Sequence, residues 1–207
     1  MQNFFPFFKT KVMKKILPVI FLFLSQFVFA GSWTQEQIKL ANTAGHIEYL
    51  TQAEKTTIFY INLARLYPKE FVEYELKNYY GTIRHGNFLI GSEYRESLIE
   101  TLLIMEPVHA LAFDQEMYES AKCFAIESGE LGLVSHTRVN CEKKHTAECC
   151  SYGMETGKDI AMQWLVNDEG ECLGHRKTCL SSALTKIGVG VAPHINYDFC
   201  AVANFKR

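Results

Sequence analysis

The 207-residue chain is short of three things that would place it at once. Its longest apolar run, Ile16 to Ala30, is interrupted by Pro18 and Gln26 and spans only 15 residues, against the roughly 20 needed to cross hydrocarbon. It has no excess of positive charge, with 21 Lys and Arg against 23 Asp and Glu. Phosphate recognition needs clustered Lys and Arg, so this balance argues against nucleic-acid binding. HExxH and GxSxG are both missing, and no nucleophile stands beside a base, so the usual zinc-protease and serine-hydrolase signatures are absent. Internal repeats, low-complexity tracts and linkers are also lacking, and one α+β domain follows as the economical organisation.

What is present begins with a leader. Lys9, Lys11, Lys14 and Lys15 precede the apolar run, and Val28-Phe29-Ala30 offers a cleavage site before Gly31, the pattern of a secretory signal peptide over residues 1–30. A second start at Met13 would give a more compact leader. Removing residues 1–30 takes four basic residues and no acidic ones, so 17 basic residues face 23 acidic, a net charge of −6. Residues 31–207 are enough for one domain with its own core. Seven cysteines then sit in a compartment where pairing is the default.

Punctuation residues divide the rest. Ser32 to Tyr49 reads as a lead-in helix. Thr51 and Glu54 have capping-box spacing ahead of Phe59, Leu63 and Leu66, with Pro68 as the stop. Pro68 also suits the first turn of a second helix, Lys69 to Tyr80, ended by Gly81. Ser92 caps a third helix carrying Leu98, Leu102 and Met105, closed by Pro107. Asp114 precedes a helix from Gln115 to Gly129 with Met117, Ala121, Phe124 and Ala125 as its apolar stripe. Asn140 to Tyr152 reads as a cysteine-rich stapled loop, and Gly157 to Asn167 as a helix bearing Ile160, Trp164 and Leu165. Period-two alternation in Ile187, Val189 and Val191, a turn at Pro193 to Asn196, and alternation again from Tyr197 to Phe205 give a β-hairpin. Gly188 and Gly190 leave one face of its first strand bare for a helix or backbone to approach.

Chemistry concentrates between Ser135 and His175. His136, Glu148 and His175 lie on three separate segments. Two imidazoles and a carboxylate are the donor set of a metal site with an open position, suited to Zn2+ or another divalent cation. Taken singly, each histidine more often pins a loop than binds a ligand, and Glu148 suits a helix cap or a salt bridge equally well. His46, His85, His109, His145 and His194 have no comparable context and read as surface or core residues.

The order of these residues resembles the CAP superfamily, the SCP-like domains of cysteine-rich secretory, antigen 5 and pathogenesis-related proteins, in a bacterial-type member. The resemblance rests on Asn62 and Arg65, Leu111 with Ala121 and Ala125, Ser135-His136-Thr137, Glu148, Trp164, His175-Arg176, Ile187-Gly188-Val189-Gly190-Val191 and Phe205. It is strongest over residues 111–205, and residues 66–110 stand as a helical insertion. It implies an α-β-α sandwich with a small antiparallel sheet between helices, and His136, Glu148 and His175 lining one cavity. Cys149 and Cys150 depart from the family, standing where Asn and an aliphatic residue usually follow the Glu. For the family's second carboxylate, Asn167 is nearest in spacing and Asp168 next.

Cys172 and Cys179 bracket the His175 loop closely enough to be bonded to each other. Cys149 and Cys150 are adjacent, would be strained if joined, and are expected to pair elsewhere. Cys141 is their nearest partner in sequence, and Cys200 can reach the same loop. Cys123 is expected to be the unpaired thiol.

The resulting expectation is a secreted, disulfide-bonded CAP/SCP-like protein that acts by binding an extracellular protein, lipid or glycan, with no membrane span after cleavage. The alternative is a hydrolase in which His136, Glu148 and His175 are catalytic, directly or through zinc.

Overall fold

In the computed structural model, which describes residues 1, 32–166 and 174–207, helices begin where short polar side chains satisfy the first free backbone N–H groups. Thr34 caps α1 (Gln35–Ala41), so the lead-in helix is far shorter than Ser32 to Tyr49. Thr51 and Glu54 form the expected capping box of α2 (Gln52–Leu66). Pro68 opens α3 (Pro68–Phe71), which widens into a π-turn at Val72–Leu76. The helix expected to reach Tyr80 therefore stops early, and Ile83–His85 forms a single 3-10 turn. Ser92 caps α4 (Glu93–Ile104) and Asp114 caps α5 (Gln115–Leu131). Two further helices are α6 (Gly157–Val166) and α7 (Gly174–Leu180). No helix among the described residues is long and apolar enough to cross a membrane. Residues 2–30 of the expected leader lie outside the described residues, as do Asn167, Asp168 and Cys172.

Four strands form one sheet in the order β1-β3-β4-β2, with β1 at Ala112–Phe113, β2 at Ala147–Tyr152, β3 at Lys186–His194 and β4 at Asp198–Lys206. The sheet is mixed, since β1 runs parallel to β3 while β3–β4 and β4–β2 are antiparallel. Helix α5 covers one face, and α2 packs behind β3 with α6 and α7 behind β2. The fold is thus α+β, a helix–sheet–helix sandwich. A Cβ added to Gly188 would lie 1.9 Å from the Tyr118 nitrogen, and one added to Gly190 2.4 Å from the Lys122 Cα. The bare face of β3 is what lets the α5 backbone come this close.

The segment read as a stapled loop contains β2. Both faces of this strand are covered, Cys149 by the cluster around Trp164 and Cys150 by the cluster around Phe124, so no apolar–polar alternation marks it. The staple ties the start of this segment, at Cys141, to α5: Cys123, expected to be unpaired, is its partner. Cys123 lies on the exposed side of α5, one position off the apolar stripe, where the returning loop meets it. Cys149, Cys150, Cys179 and Cys200 are buried free thiols. The expected Cys172–Cys179 bridge falls on a residue outside the described ones, while Cys179 shares a thiol hydrogen bond with Cys149 across the α7–β2 contact.

Three buried arginines terminate helical segments that precede loops. Arg95 donates to the Leu76, Lys77 and Tyr79 carbonyls after the π-turn. Arg176 donates to Leu165 and Val166 at the end of α6 and to Tyr94 on α4. Arg65, fully buried, donates to Cys179, Ser181 and Leu184 after α7, and to His109. Most of these carbonyls lie at or just past helix C-termini, where helical N–H partners run out, and the guanidinium forks supply donors there and tie the end of α7 to α2. Asn62, one turn before Arg65, clamps both backbone groups of Leu111 at the approach to β1.

Candidate functional site

The loop after α5 is held against that helix by polar groups together with a disulfide. Gly132 ends α5 in the left-handed conformation. Glu127 accepts from the Val139 and Asn140 backbone N–H groups, and the Cys123–Cys141 bond closes the far end. Within the loop the Ser135 hydroxyl accepts from Thr137 N–H at 3.1 Å, and Tyr152 on β2 receives the Ser135 N–H at 3.2 Å. These ties place His136 over β2.

Glu148 and Cys150, two apart on β2, share the face toward α5. His136 Nδ1 lies 3.0 Å from Glu148 Oε1 and 3.6 Å from Cys150 Sγ. Its side chain is 59% exposed, that of Glu148 only 5%. Arg138 forms an ion pair with Glu148 Oε2 and stacks over the Phe124 ring at 4.5 Å. His145 Nδ1 lies 3.6 Å from the same oxygen. With its amide turned to satisfy both ends, Asn204 donates to Glu148 Oε2 at 2.9 Å and to His145 Nδ1 at 3.1 Å, and accepts from Ala121 N–H at 3.1 Å.

The electrostatics follow from these contacts. Burial alone would raise the Glu148 carboxyl, but hydrogen bonds from His136 and Arg138 outweigh it and hold the group below its ordinary range. The same hydrogen bond raises His136. His145 is lowered by burial, consistent with a neutral ring whose Nδ1 accepts from Asn204. Burial lowers His175 as well, with the charge of His136 adding to it. Cys150 is pushed well up by burial and by the Glu148 charge, so its sulfur is a thiol.

Two clefts flank His136. One, of about 190 Å3, is lined by Val134, Ser135, His136, Cys150, Tyr152 and His175. The other, of about 280 Å3, is lined by His136, Lys143, His145, Thr146, Ala147 and Glu148. A wider groove of about 410 Å3 lies between α1 and α2, but its lining holds Lys55, Phe59 and Tyr60 with no histidine, cysteine or carboxylate. Size therefore does not choose the site here; chemistry does.

Of the three expected site residues, His136 and Glu148 are in direct contact, and His175 joins His136 in the smaller cleft. His175 is carried by α7, where the neighbouring Arg176 is anchored by hydrogen bonds to α4 and the end of α6. Among the described residues, the group whose donor atoms lie within 4.8 Å of one another is His136, Glu148 and Cys150, with no His175. The donor chemistry of that group fits a divalent cation. Arg138, His145 and Tyr152 were not singled out by the sequence. Arg138 stands two residues after His136 and His145 three before Glu148, spacings that carry meaning only once Glu148 is known to be the centre.

No family model matches this sequence, and no curated protein matches it. Among solved structures the chain is similar to an outer surface protein from Borrelia burgdorferi, with 22% identity and a TM-score of 0.39 over 55% of this chain and 89% of that one.

Proposed function

We propose that this chain is a secreted CAP/SCP-like protein that acts by binding at the His136–His175 cleft. One observation carries the reading: a single cleft gathers His136, Cys150, Tyr152 and His175, while the groups a hydrolase would use are held in unreactive forms. Glu148 is neutralised by Arg138, and Cys150 is held as its thiol. The family part of the proposal is supported by the order of motifs from Asn62 to Phe205 and by the helix–sheet–helix layering. The basic leader supports export, and the ligand would be an extracellular protein, lipid or glycan.

His136 and Glu148 would hold a divalent cation such as zinc, with His175 lining the cleft beside them. When bound, such an ion supplies a fixed positive centre that orders the cleft and attracts an acceptor group on a ligand. The protein's own part is orientation, because Glu148 fixes the His136 ring and Arg138 fixes Glu148.

The alternative, a His/Glu-dependent hydrolase, has one contact in its favour. A carboxylate that accepts from Nδ1–H leaves Nε2 of neutral His136 as a base. Side-chain NMR of histidine-labelled protein separates the two readings. Lipid, glycan and peptide libraries should yield a class that shifts His136 and His175 together without being consumed. Conversion of a peptide or ester substrate that is lost in His136→Ala would overturn the binding reading.

A further inference from the structure

We propose that Cys150 turns the His136 cleft into a sulfur-bearing site for a zinc-class cation, with His136 Nδ1, Glu148 Oε1 and Cys150 Sγ as the three protein donors. The inference rests on the cleft reading above and deepens it: the third donor is the β2 thiol, and His175 stays outside this set.

Spacing is the first argument. The three donor atoms lie within 4.8 Å of one another. Zinc bonds of about 2.0–2.1 Å to nitrogen or oxygen and about 2.3 Å to sulfur, at a tetrahedral angle, place nitrogen and sulfur about 3.6 Å apart and nitrogen and oxygen about 3.4 Å apart. The structure has His136 Nδ1 at 3.6 Å from Sγ and 3.0 Å from Oε1. Of these two distances the first already fits, and the second must open by a few tenths of an ångström as a cation takes the place of the shared proton.

Arg138 supplies the second argument, which concerns the kind of cation. Calcium and magnesium need several carboxylate or carbonyl oxygens. This site has one carboxylate, and one of its two oxygens is committed to a buried guanidinium. Nitrogen and sulfur dominate what remains, a set that favours zinc-class ions over hard ones.

The proton balance is simple. The Cys150 thiol loses its proton to solvent, and the neutral His136 ring carries its own proton on Nε2 once Nδ1 binds. From the neutral ring one proton is released per ion, from the protonated ring two, and no redox change occurs.

Cobalt(II), titrated into the purified disulfide-intact protein with zinc as competitor, tests the assignment. The expected result is a sulfur-to-cobalt charge-transfer band in the near ultraviolet that zinc abolishes. Cys150→Ser and Cys150→Ala should both lose the band and weaken zinc binding at least about tenfold, while Cys149→Ser and Cys200→Ala keep it. Circular dichroism confirms that each variant is folded, and two replacements at Cys150 guard against one misfolding. Cobalt binding without the band, or a band that survives both Cys150 variants, overturns the sulfur assignment and leaves the wider cleft reading standing. Absence of zinc and cobalt binding by calorimetry overturns this inference and the metal part of that reading together.

Discussion

Arg138 and Glu148 form an ion pair in which neither side chain is more than 6% exposed. The pair joins the loop after α5 to β2, and it fixes the charge on which the behaviour of His136 depends.

Arg138→Ala should destabilise the protein by about 3–5 kcal/mol, because it strands the Glu148 charge in a dry site. Urea unfolding measures this. The double variant Arg138→Met with Glu148→Gln removes both charges and should recover most of the loss. A single-variant loss below about 1 kcal/mol would mean that water reaches the pair.

Histidine titrations should divide about 6.5, the ordinary imidazole value. His136 should titrate above it, because Glu148 accepts its hydrogen bond, and His145 and His175 below it, because burial penalises their charge. The raised His136 contributes stability that is complete below 6.5 and lost as pH rises through its folded value. His145 and His175 act in reverse: their contribution is present above 6.5 and lost as pH falls through their folded values. Glu148 adds stability above 4.5 that disappears as pH falls through its lowered value. Glu148→Gln should bring the His136 midpoint down in an NMR titration, and an unchanged midpoint would remove Glu148 as the cause.

Gly188→Ala should be costly although alanine is the smallest change available. Its Cβ would meet the Tyr118 backbone at 1.9 Å, and neither β3 nor α5 has a soft side chain there to yield. A loss of about 3 kcal/mol, at the upper end of ordinary overpacking, is expected in thermal or chemical unfolding.

Peptide mapping without reduction should link Cys123 to Cys141. Cys123→Ser should lower stability by about 3 kcal/mol, the scale for a loop of this length. Cys149, Cys179 and Cys200 are fully buried, so thiol reagents should modify them only after denaturation.

Much of the fold was written in short-range signals. Thr51 with Glu54, Ser92 and Asp114 marked helix starts, and Gly188 and Gly190 announced the close approach of a helix or backbone, which is α5. The π-turn at Val72–Leu76 and the strand Ala147–Tyr152 were not legible. The first is a backbone choice stabilised by Arg95 from the next helix, and the second is covered on both faces, which erases the period-two pattern. For the site, the sequence marked His136, Glu148 and His175 but gave no reason to choose Arg138, His145 or Cys150. Their importance comes from contacts between a loop, a strand and α5, and no local spacing encodes those. The misread Cys123 thiol has the same origin: Cys123 looked apolar-flanked along the helix, yet its side chain leaves the stripe and meets Cys141.

The strand order β1-β3-β4-β2 has a consequence for the timing of assembly. Glu148 and Cys150 pair with Asn204 and Val202, so β2 has no backbone partner until β4 has been made. A chain emerging at about 5–20 residues per second leaves its two adjacent thiols uncovered for a few seconds. By then Cys123 and Cys141, the first two of the seven cysteines, have already emerged. First-come pairing therefore favours Cys123–Cys141, and the later arrival of β4 buries Cys149 and Cys150, which would compete for it.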